Sequence, residues 1–387
     1  MAITGDQRLL KRINRMALVR LVRSQPGLSR AELSTATGLT KSTVSLLVQE
    51  LIDDGWLCED TVLVTGAIGR RPTPLRLDGR RLVMIGAELS VGSVCVVSMS
   101  LNGEVLEREE CTFPLQTSAE VVLAQMAGLI ATQVGRQSDA RRELLGIGVG
   151  VPGAVMETSG VLAVAPNLGW RDVPVRAMLL AALTRLGVVD LPLFVQNDGD
   201  VAALGEVEFA SGPVGDPLLY ICLGVGVGSG VVVGGRLLLG GRGFAGEVGH
   251  MQMQADGPRC SCGRSGCAEV FIGLQAMANT LGCSIAELET RVAAGDAAAL
   301  SVLTAGGRHL GVLMHNLWAM LDPAVIVLGG PACRLGKPLL GIAQETFEAL
   351  ARAANLETPP VTESRFGDLS VAAGAAALVL HKLLQPI

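Results

Sequence analysis

The sequence predicts an α/β protein with a small helical head and a larger body in which strands and helices alternate. Three helical periodicities precede residue 57, and apolar runs punctuated by glycine begin at Leu82. A chain of 387 residues is too long for one hydrophobic core. We therefore expect a head over residues 1–81, a first lobe over 82–196 plus 371–387, and a second lobe over 197–370.

Charge is divided unevenly between these parts. Residues 1–81 hold 13 Lys or Arg against 8 Asp or Glu, whereas the rest of the chain holds 18 against 28. A basic head on an acidic body indicates a polyanion as the partner of the head alone. Only 3% of the residues are aromatic, which argues against stacking on single-stranded nucleic acid.

The first 25 residues carry six Lys or Arg and no apolar core of a signal peptide. We find no charge-free apolar run long enough to span a bilayer, so we expect no membrane partner. Three of the nine cysteines crowd into residues 260–267. This spacing favours metal ligands plus free thiols over a disulfide framework, and we expect a cytoplasmic protein.

Three short helices are predicted in the head. The first has apolar residues at helical spacing, namely Leu9, Leu10, Ile13, Ala17, Leu21 and Val22. A capping box at Ser29–Glu32 starts the second helix, and Gly38 supplies a sharp turn after it. Thr40 caps the third helix. Two helices joined by such a turn are typical of a helix-turn-helix.

The start of the third helix carries polar side chains that are short enough to approach phosphates and base edges. These predicted DNA contacts are Lys41, Ser42, Thr43, Ser45 and Gln49. Strands over 57–65 and 75–77, with a turn between them, predict a wing whose Arg70 and Arg71 touch the DNA backbone or minor groove. A plain dimerisation module would give the same periodicities, but the basic hairpin favours double-stranded DNA.

The body is predicted to form mixed sheets covered by helices. Strands are expected at 82–87, 94–99, 145–149, 193–195, 218–223, 231–233 and 325–328. Helices are expected near 118–135, 174–186, 272–281, 297–320 and 341–354.

A series of motifs runs through this body in a fixed order. They are Gly150–Gly153, Asn167–Trp170, Gln196–Glu206, Gly224–Gly230, Ala245–His250, Cys260–Glu269, and Asp322-Pro323 through Gly330. The series resembles the ROK family of repressors and sugar kinases over roughly residues 82–387. The N-terminal helix-turn-helix is similar to that of the repressor branch of this family, which includes xylose and N-acetylglucosamine repressors. The resemblance implies a two-lobed actin/hexokinase-like (ribonuclease H-like) domain.

One motif has the composition of a metal site. His250, Cys260, Cys262 and Cys267 supply one imidazole and three thiolates, a set suited to a closed, tetrahedral structural zinc. The resemblance implies zinc at the same four positions. The other six cysteines are expected to fill the core.

The resemblance also implies a sugar site, with Glu247, Glu269 and Asn197 accepting hydrogen bonds from sugar hydroxyls. His250 would hold the metal with one nitrogen while its ring faces the sugar. Asn167 or the backbone of Gly169 would close the cleft. Asp198 matches the general base of the family's kinases, yet it serves equally well as an acceptor for a sugar hydroxyl.

The phosphate loops depart from the kinase pattern. Where the kinases have Asp-x-Gly-Gly-Thr, this chain has Glu88-Leu89-Ser90-Val91-Gly92, and Val225 stands where they have a threonine. A valine hinders close approach of the backbone to phosphate. We therefore expect ATP not to bind and no residue to be catalytic. An ATP-dependent sugar kinase with a DNA-binding head, in which Asp198 is the base, is the alternative.

These interpretations predict a repressor whose effector is a neutral monosaccharide. No basic cluster lies near the cleft motifs, which disfavours a phosphorylated sugar. We expect a homodimer or a dimer of dimers, because winged helices bind paired half-sites.

Overall fold

The computed structural model describes residues 6–60, 73–210 and 212–385. Arg70, Arg71 and most of the predicted wing hairpin lie outside these residues.

The head contains the predicted helix-turn-helix. Its elements are α1 (Gln7–Ser24), α2 (Arg30–Thr37), α3 (Lys41–Asp53), β1 (Leu57–Glu59) and β2 (Leu75–Leu77). The capping box of Ser29 and Glu32 has both of its hydrogen bonds, and Gly38 ends α2 in the left-handed conformation. The predicted apolar face of α1 needs one correction. Leu10 is 52% exposed, and Leu18 and Val19 are buried instead.

The first lobe holds the next eight strands and two helices. They are β3 (Leu82–Ser90), β4 (Ser93–Ser100), β5 (Val105–Thr112), α4 (Ala119–Asp139), β6 (Glu143–Val151), β7 (Ala154–Met156), β8 (Val161–Ala165), β9 (Trp170–Val173), α5 (Val175–Arg185) and β10 (Leu193–Asn197). Five strands form one sheet in the order β10-β6-β3-β4-β5, and β7, β8 and β9 form a separate antiparallel sheet. The strands predicted here are confirmed, with longer bounds.

The second lobe begins with α6 (Asp198–Glu208). It comprises β11 (Leu218–Leu223), β12 (Val227–Val233), β13 (Arg236–Leu237), α7 (Glu269–Ile272), α8 (Leu274–Thr280), α9 (Ile285–Ala293), α10 (Ala297–Leu321), β14 (Val325–Gly329), α11 (Leu340–Ala353) and β15 (Val361–Glu363). Its sheet has the order β13-β12-β11-β14-β15, and the chain ends in α12 (Ser370–Leu384).

Helices α6 and α12 pack against each other between the two five-stranded sheets. The approach of α12 to the first sheet is so close that a Cβ atom on Gly148 would lie 1.8 Å from the carbonyl oxygen of Ala375. Backbone therefore contacts backbone here, and a side chain at Gly148 would push α12 away from the sheet.

One cluster of buried side chains joins the head to the body. It contains Leu18 and Val22 of α1, Met84 of β3, Leu204 of α6 and Leu380 of α12, among others. The head thus packs on the same core as the first lobe and α6.

Two helical segments among the described residues, Ala297–Leu321 and Gly367–Leu384, are long and apolar enough to cross a membrane. Within the fold, 72% of the second segment is buried, and the first supplies core side chains of the second lobe. Core helices satisfy the same length and hydropathy criteria, so these segments are weak evidence for a membrane span.

Candidate functional site

The face of α3 that points away from the core begins with exposed Lys41, Ser42 and Ser45. Val44, Leu47, Val48 and Leu51 on its other face are buried, which fixes the orientation of the helix. Leu46, which the polar pattern did not suggest, is 61% exposed on the outer face. An exposed leucine there can contact the methyl group of thymine.

Two of the other predicted DNA contacts are partly engaged within the head. The hydroxyl oxygen of Thr43 lies 2.8 Å from that of the cap residue Thr40. The amide of Gln49 donates to Asp53 and accepts a 3.4 Å hydrogen bond from Arg30. Both side chains would have to exchange these partners before they could bond to a base.

The body has a cleft of about 260 Å³ between its two lobes. Six of the seven residues predicted to bind sugar line it, namely Asn167, Asn197, Asp198, Glu247, His250 and Glu269. Gly169 does not line the cleft. Its positive φ of 68° ends the short 3-10 turn that carries Asn167, so its contribution is to the shape of that turn.

The four candidate metal ligands come together at one end of the cleft. The ligand atoms of His250, Cys260, Cys262 and Cys267 all lie within 4.8 Å of one another. The Sγ atoms of Cys262 and Cys267 are 3.7 Å apart, as are Cys260 Sγ and His250 Nδ1. A tetrahedral zinc with Zn–S bonds of about 2.3 Å holds its sulfurs about 3.8 Å apart, which these distances match.

The loop that carries the cysteines is folded tightly. A Cβ atom on Gly266 would lie 1.6 Å from the carbonyl oxygen of Gln254, so only glycine fits there. Arg264 donates from Nε to the sulfur of Cys262 at 3.4 Å. Helix α7 begins at Glu269, two residues after the last cysteine, and the cluster therefore fixes where Glu269 enters the cleft.

The side chain of Glu269 forms hydrogen bonds with residues of both lobes. Its Oε2 accepts hydrogen bonds from the side-chain amide of Asn167 at 3.4 Å and from the backbone amide of Val227 at 3.3 Å. Its Oε1 accepts from the hydroxyl of Ser261 at 3.3 Å. All three bonds are long, so hydroxyls of a ligand can replace them at small cost.

Asn197 and Asp198 occupy the start of α6. The Asn197 side-chain oxygen accepts from the amides of Gly199 and Asp200, and its nitrogen donates to the carbonyl of Gly153. Its amide is therefore committed to capping the helix, which leaves one N–H for a ligand. Burial raises the pKa of Asp198 to about 6, so this carboxyl is ionised at neutral pH and accepts hydrogen bonds.

His250 presents its two nitrogens to different neighbours. Its Nδ1 faces Cys260, and its Nε2 lies 3.9 Å from a carboxylate oxygen of Glu247. Since one nitrogen can bind a metal while the other points to the ligand side, the arrangement fits the predicted double role.

The altered loop also lines the cleft, through Ser90 and Val91. Ser90 and Ser93 pair across a two-residue turn, Val91-Gly92, and Val91 packs on the core of the first lobe. Val225 also lines the cleft. No threonine stands at either position where the kinase pattern has one.

Two arginines line the cleft, although the sequence shows no basic cluster near the cleft motifs. Arg108 on β5 pairs with Glu110, and Arg334 pairs with Glu289 and Asp368. Neither arginine belongs to one of the cleft motifs, so the sequence pattern does not indicate that the two residues line the cleft. Both guanidinium groups already have carboxylate partners, which offset the positive charge that they could offer a phosphate.

The far end of α6 contacts the head. Glu208, at the last position of the helix, forms an ion pair with Arg23 of α1 and lies 2.7 Å from Nδ1 of His381 on α12. Glu208 and His381 side chains are 5% and 7% exposed. Burial lowers the pKa of His381 to about 4, so the imidazole is neutral and Arg23 alone balances the carboxylate. An eleven-residue helix, about 16 Å long, thus connects Asp198 in the cleft with the head.

Comparison with known proteins agrees with the division of the chain into a helix-turn-helix head and a larger body. A profile described as "ROK family" matches residues 84–382, and one described as "Winged helix-turn-helix DNA-binding" matches residues 11–57. The xylose repressor of Caldicellulosiruptor bescii is 28% identical, with 98% of each chain covered. A glucokinase of Halalkalibacterium halodurans is 30% identical over 69% of this chain and 86% of its own. The crystal structure of a ROK family transcriptional regulator, homolog of E. coli MLC protein, has the same fold, with a TM-score of 0.76, 24% identity, and 97% and 98% coverage.

Proposed function

The chain belongs to the ROK family, and we propose that it is a sugar-responsive transcriptional repressor of carbohydrate-metabolism genes. The observation that carries this proposal is the connection through α6, whose first residue lines the cleft and whose last residue is paired with the head. A sugar that binds more tightly to one arrangement of this helix changes the affinity of the head for its operator. Such a protein acts in the cytoplasm, where its DNA is.

The ligand we propose is a neutral monosaccharide. Asp198, Glu247 and Glu269 would accept its hydroxyl hydrogens, and Asn167 and Nε2 of His250 would complete the ring of contacts. Several fixed polar groups in a concave site are what a polyhydroxylated molecule requires. In this proposal Asn197 acts mainly by holding the start of α6, and Gly169 by shaping the turn of Asn167.

A structural zinc would be held by His250, Cys260, Cys262 and Cys267. The donor set and the spacing of the sulfur atoms support it. Such a zinc supplies no chemistry and closes the loop that positions Glu269.

We propose the domain boundaries predicted from the sequence, with lobes over 82–196 plus 371–387 and over 197–370.

For the DNA we propose entry of the start of α3 into the major groove, with Lys41, Ser42, Thr43, Ser45 and Gln49 as contacts. A homodimer or dimer of dimers would present two heads to paired half-sites.

The double variant Arg70→Ala/Arg71→Ala tests the predicted wing. Its operator affinity should fall, and the slope of log affinity against log salt should flatten by about 2, about one per lost phosphate contact. Fluorescence anisotropy with operator DNA at several salt concentrations measures both, and an unchanged slope would place the wing away from DNA.

The function is tested by a thermal-shift screen of neutral monosaccharides, followed by operator binding in the presence of any sugar found. Asp198→Asn should bind that sugar at least 10-fold more weakly, because an amide nitrogen replaces one acceptor oxygen. Its operator affinity without sugar should equal that of the wild type. A sugar that binds and leaves operator affinity unchanged would contradict the proposal.

The rival function is an ATP-dependent sugar kinase, favoured by the retained Asp198 and by the similarity to a glucokinase. We propose instead that the protein is not an enzyme and does not use ATP, because Val91 and Val225 stand where the kinase pattern has glycine and threonine. A coupled ATPase assay across hexoses and pentoses should give no turnover. Turnover that Asp198→Asn abolishes would establish the kinase.

A further inference from the structure

One carboxyl group in the cleft has no role in the function proposed above. Glu88 lies near the end of β3, where its neighbours in the sheet are Cys95 on β4 and Gly150 on β6. It lines the cleft, as do Asp198 and Arg108. The residue is half-buried.

Glu88 takes part in none of the ion pairs found among the described residues. The charge of Arg108 favours ionisation of Glu88 and lowers its pKa, but this guanidinium is bonded to Glu110. The backbone N–H of Ala372, in the first turn of α12, donates to the Glu88 carboxyl. Its other neighbours include two carboxylates, Asp198 and Asp368. A negative charge on Glu88 is therefore poorly compensated.

Burial, and next the charge of Asp198, raise the pKa of Glu88 to about 8. At pH 7 most of the molecules therefore carry Glu88 as an uncharged acid. A protonated carboxyl donates one hydrogen bond and accepts others, whereas an ionised one only accepts. Glu88 and Asp198 thus present a donor and an acceptor to the same cleft.

We propose that uncharged Glu88 is a specificity-determining residue of the sugar cleft, which donates a hydrogen bond to an oxygen of a neutral sugar while Asp198 accepts one. This inference rests on the proposed function, because it assumes that the cleft takes a sugar. It also specifies the ligand class: an anionic sugar would place its charge beside Asp198 and Asp368 and would be rejected.

The titratable groups around Glu88 allow a test by pH. Asp368 and Glu110 are held in ion pairs by Arg334 and Arg108. The pKa of Cys95 is raised to about 11 by burial, and burial also raises that of Cys222 far above its ordinary value. Asp198, with a pKa of about 6, is already ionised at pH 7.5. Of the groups that face Glu88, only Glu88 itself changes charge between pH 7.5 and 9.5.

One further carboxyl in the cleft requires a control. Burial and the charge of Asp198 raise the pKa of Glu247 to about 7, so this group also gains charge near neutral pH. Comparison with Glu88→Gln at each pH separates the two groups, since the Glu247 contribution is common to both proteins.

The experiment is isothermal titration calorimetry of the full-length, zinc-loaded protein with D-xylose and D-glucose between pH 7 and 9.5. The wild type should lose affinity by roughly 30-fold over this range, because binding requires a proton whose pKa is near 8. Glu88→Gln keeps a donor and cannot ionise, so it should bind within about threefold of the wild type at pH 7. At higher pH it should lack the decline due to Glu88 and keep only the change that Glu247 causes in both proteins. Glu88→Ala should bind roughly 10- to 100-fold more weakly at pH 7.

Glu107→Gln is the control, because Glu107 lies on the same strand as Arg108 but outside the cleft. This variant should have the sugar affinity of the wild type at pH 7 and the same loss of affinity at alkaline pH. Melting temperatures of all variants identify any that fail to fold. An alkaline decline in Glu88→Gln as large as that of the wild type, or wild-type affinity in Glu88→Ala, would overturn the inference while leaving the sugar site intact. If the wild type binds neither these sugars nor any sugar of the thermal-shift screen, the proposed function fails and the role of Glu88 fails with it.

Discussion

Replacing Cys260 and Cys262 together with serine is expected to release one zinc per chain and to lower the melting temperature by roughly 10 °C, at about 2–4 °C per kcal/mol of lost stability. The reason is that His250 and Cys267 alone cannot hold the ion, and the free energy of metal binding that stabilises the folded loop from 252 to 268 is then lost. Sugar affinity should fall as well, since Glu269 directly follows this loop. Metal content by mass spectrometry and thermal melting measure the first two effects.

Cys283→Ser is the matched control. This cysteine is half-buried, lies in the same lobe, and donates only to the carbonyl of Ala278. It should retain zinc and melt close to the wild type. Equal metal content and melting in the double serine variant and the wild type would show that the four side chains bind no structural metal.

Arg23→Gln is expected to abolish most of the effect of sugar on operator binding. The substitution leaves the buried carboxylate of Glu208 beside a neutral His381, and breaking a buried pair in this way costs about 3–5 kcal/mol. The last turn of α6 then loses its ion pair with α1 and keeps only apolar packing against the head, so we expect a change at Asp198 to be transmitted poorly. Anisotropy with operator DNA, with and without sugar, should show a response reduced to about twofold or less.

Two variants show whether the pair itself is responsible. Arg12→Gln changes an exposed residue of the same helix and should leave the ratio of operator affinities with and without sugar unchanged. Arg23→Gln/Glu208→Gln removes both charges and should recover much of the stability but not the response. A full sugar response in Arg23→Gln would place the connection between cleft and head elsewhere.

The parts of this structure that could be predicted from the sequence are those whose partners lie close together in the chain. Ser29 bonds to Glu32 three residues away, and Gly38 ends α2 within the same turn, so local chemistry is sufficient. The candidate zinc ligands span only residues 250–267. Long apolar runs such as Leu218–Leu223 could be identified as strands because both faces are buried.

The parts that could not be predicted depend on distant residues or lack a periodic pattern. Helix α12 was not predicted because it is buried on almost all sides and therefore has no polar face to reveal its period. Helix α6 has the same property. Arg23 and Glu208 are 185 positions apart, and only the packing of α1 on α6 and α12 reveals that they meet. The raised pKa of Glu88 likewise depends on Asp198, which is remote in sequence.

The buried cluster that runs from α1 through β3 to α12 makes the head a part of the body's cooperative folding unit. Side chains such as Leu18 and Val22 would face water if residues 6–60 were separated from the rest, so we expect no independent melting transition for the head. Any molecule that binds only the folded body, whether zinc or sugar, then also protects the DNA-binding helix from unfolding and proteolysis. The lifetime of the regulator would therefore depend on the supply of its ligands, in addition to its occupancy of DNA.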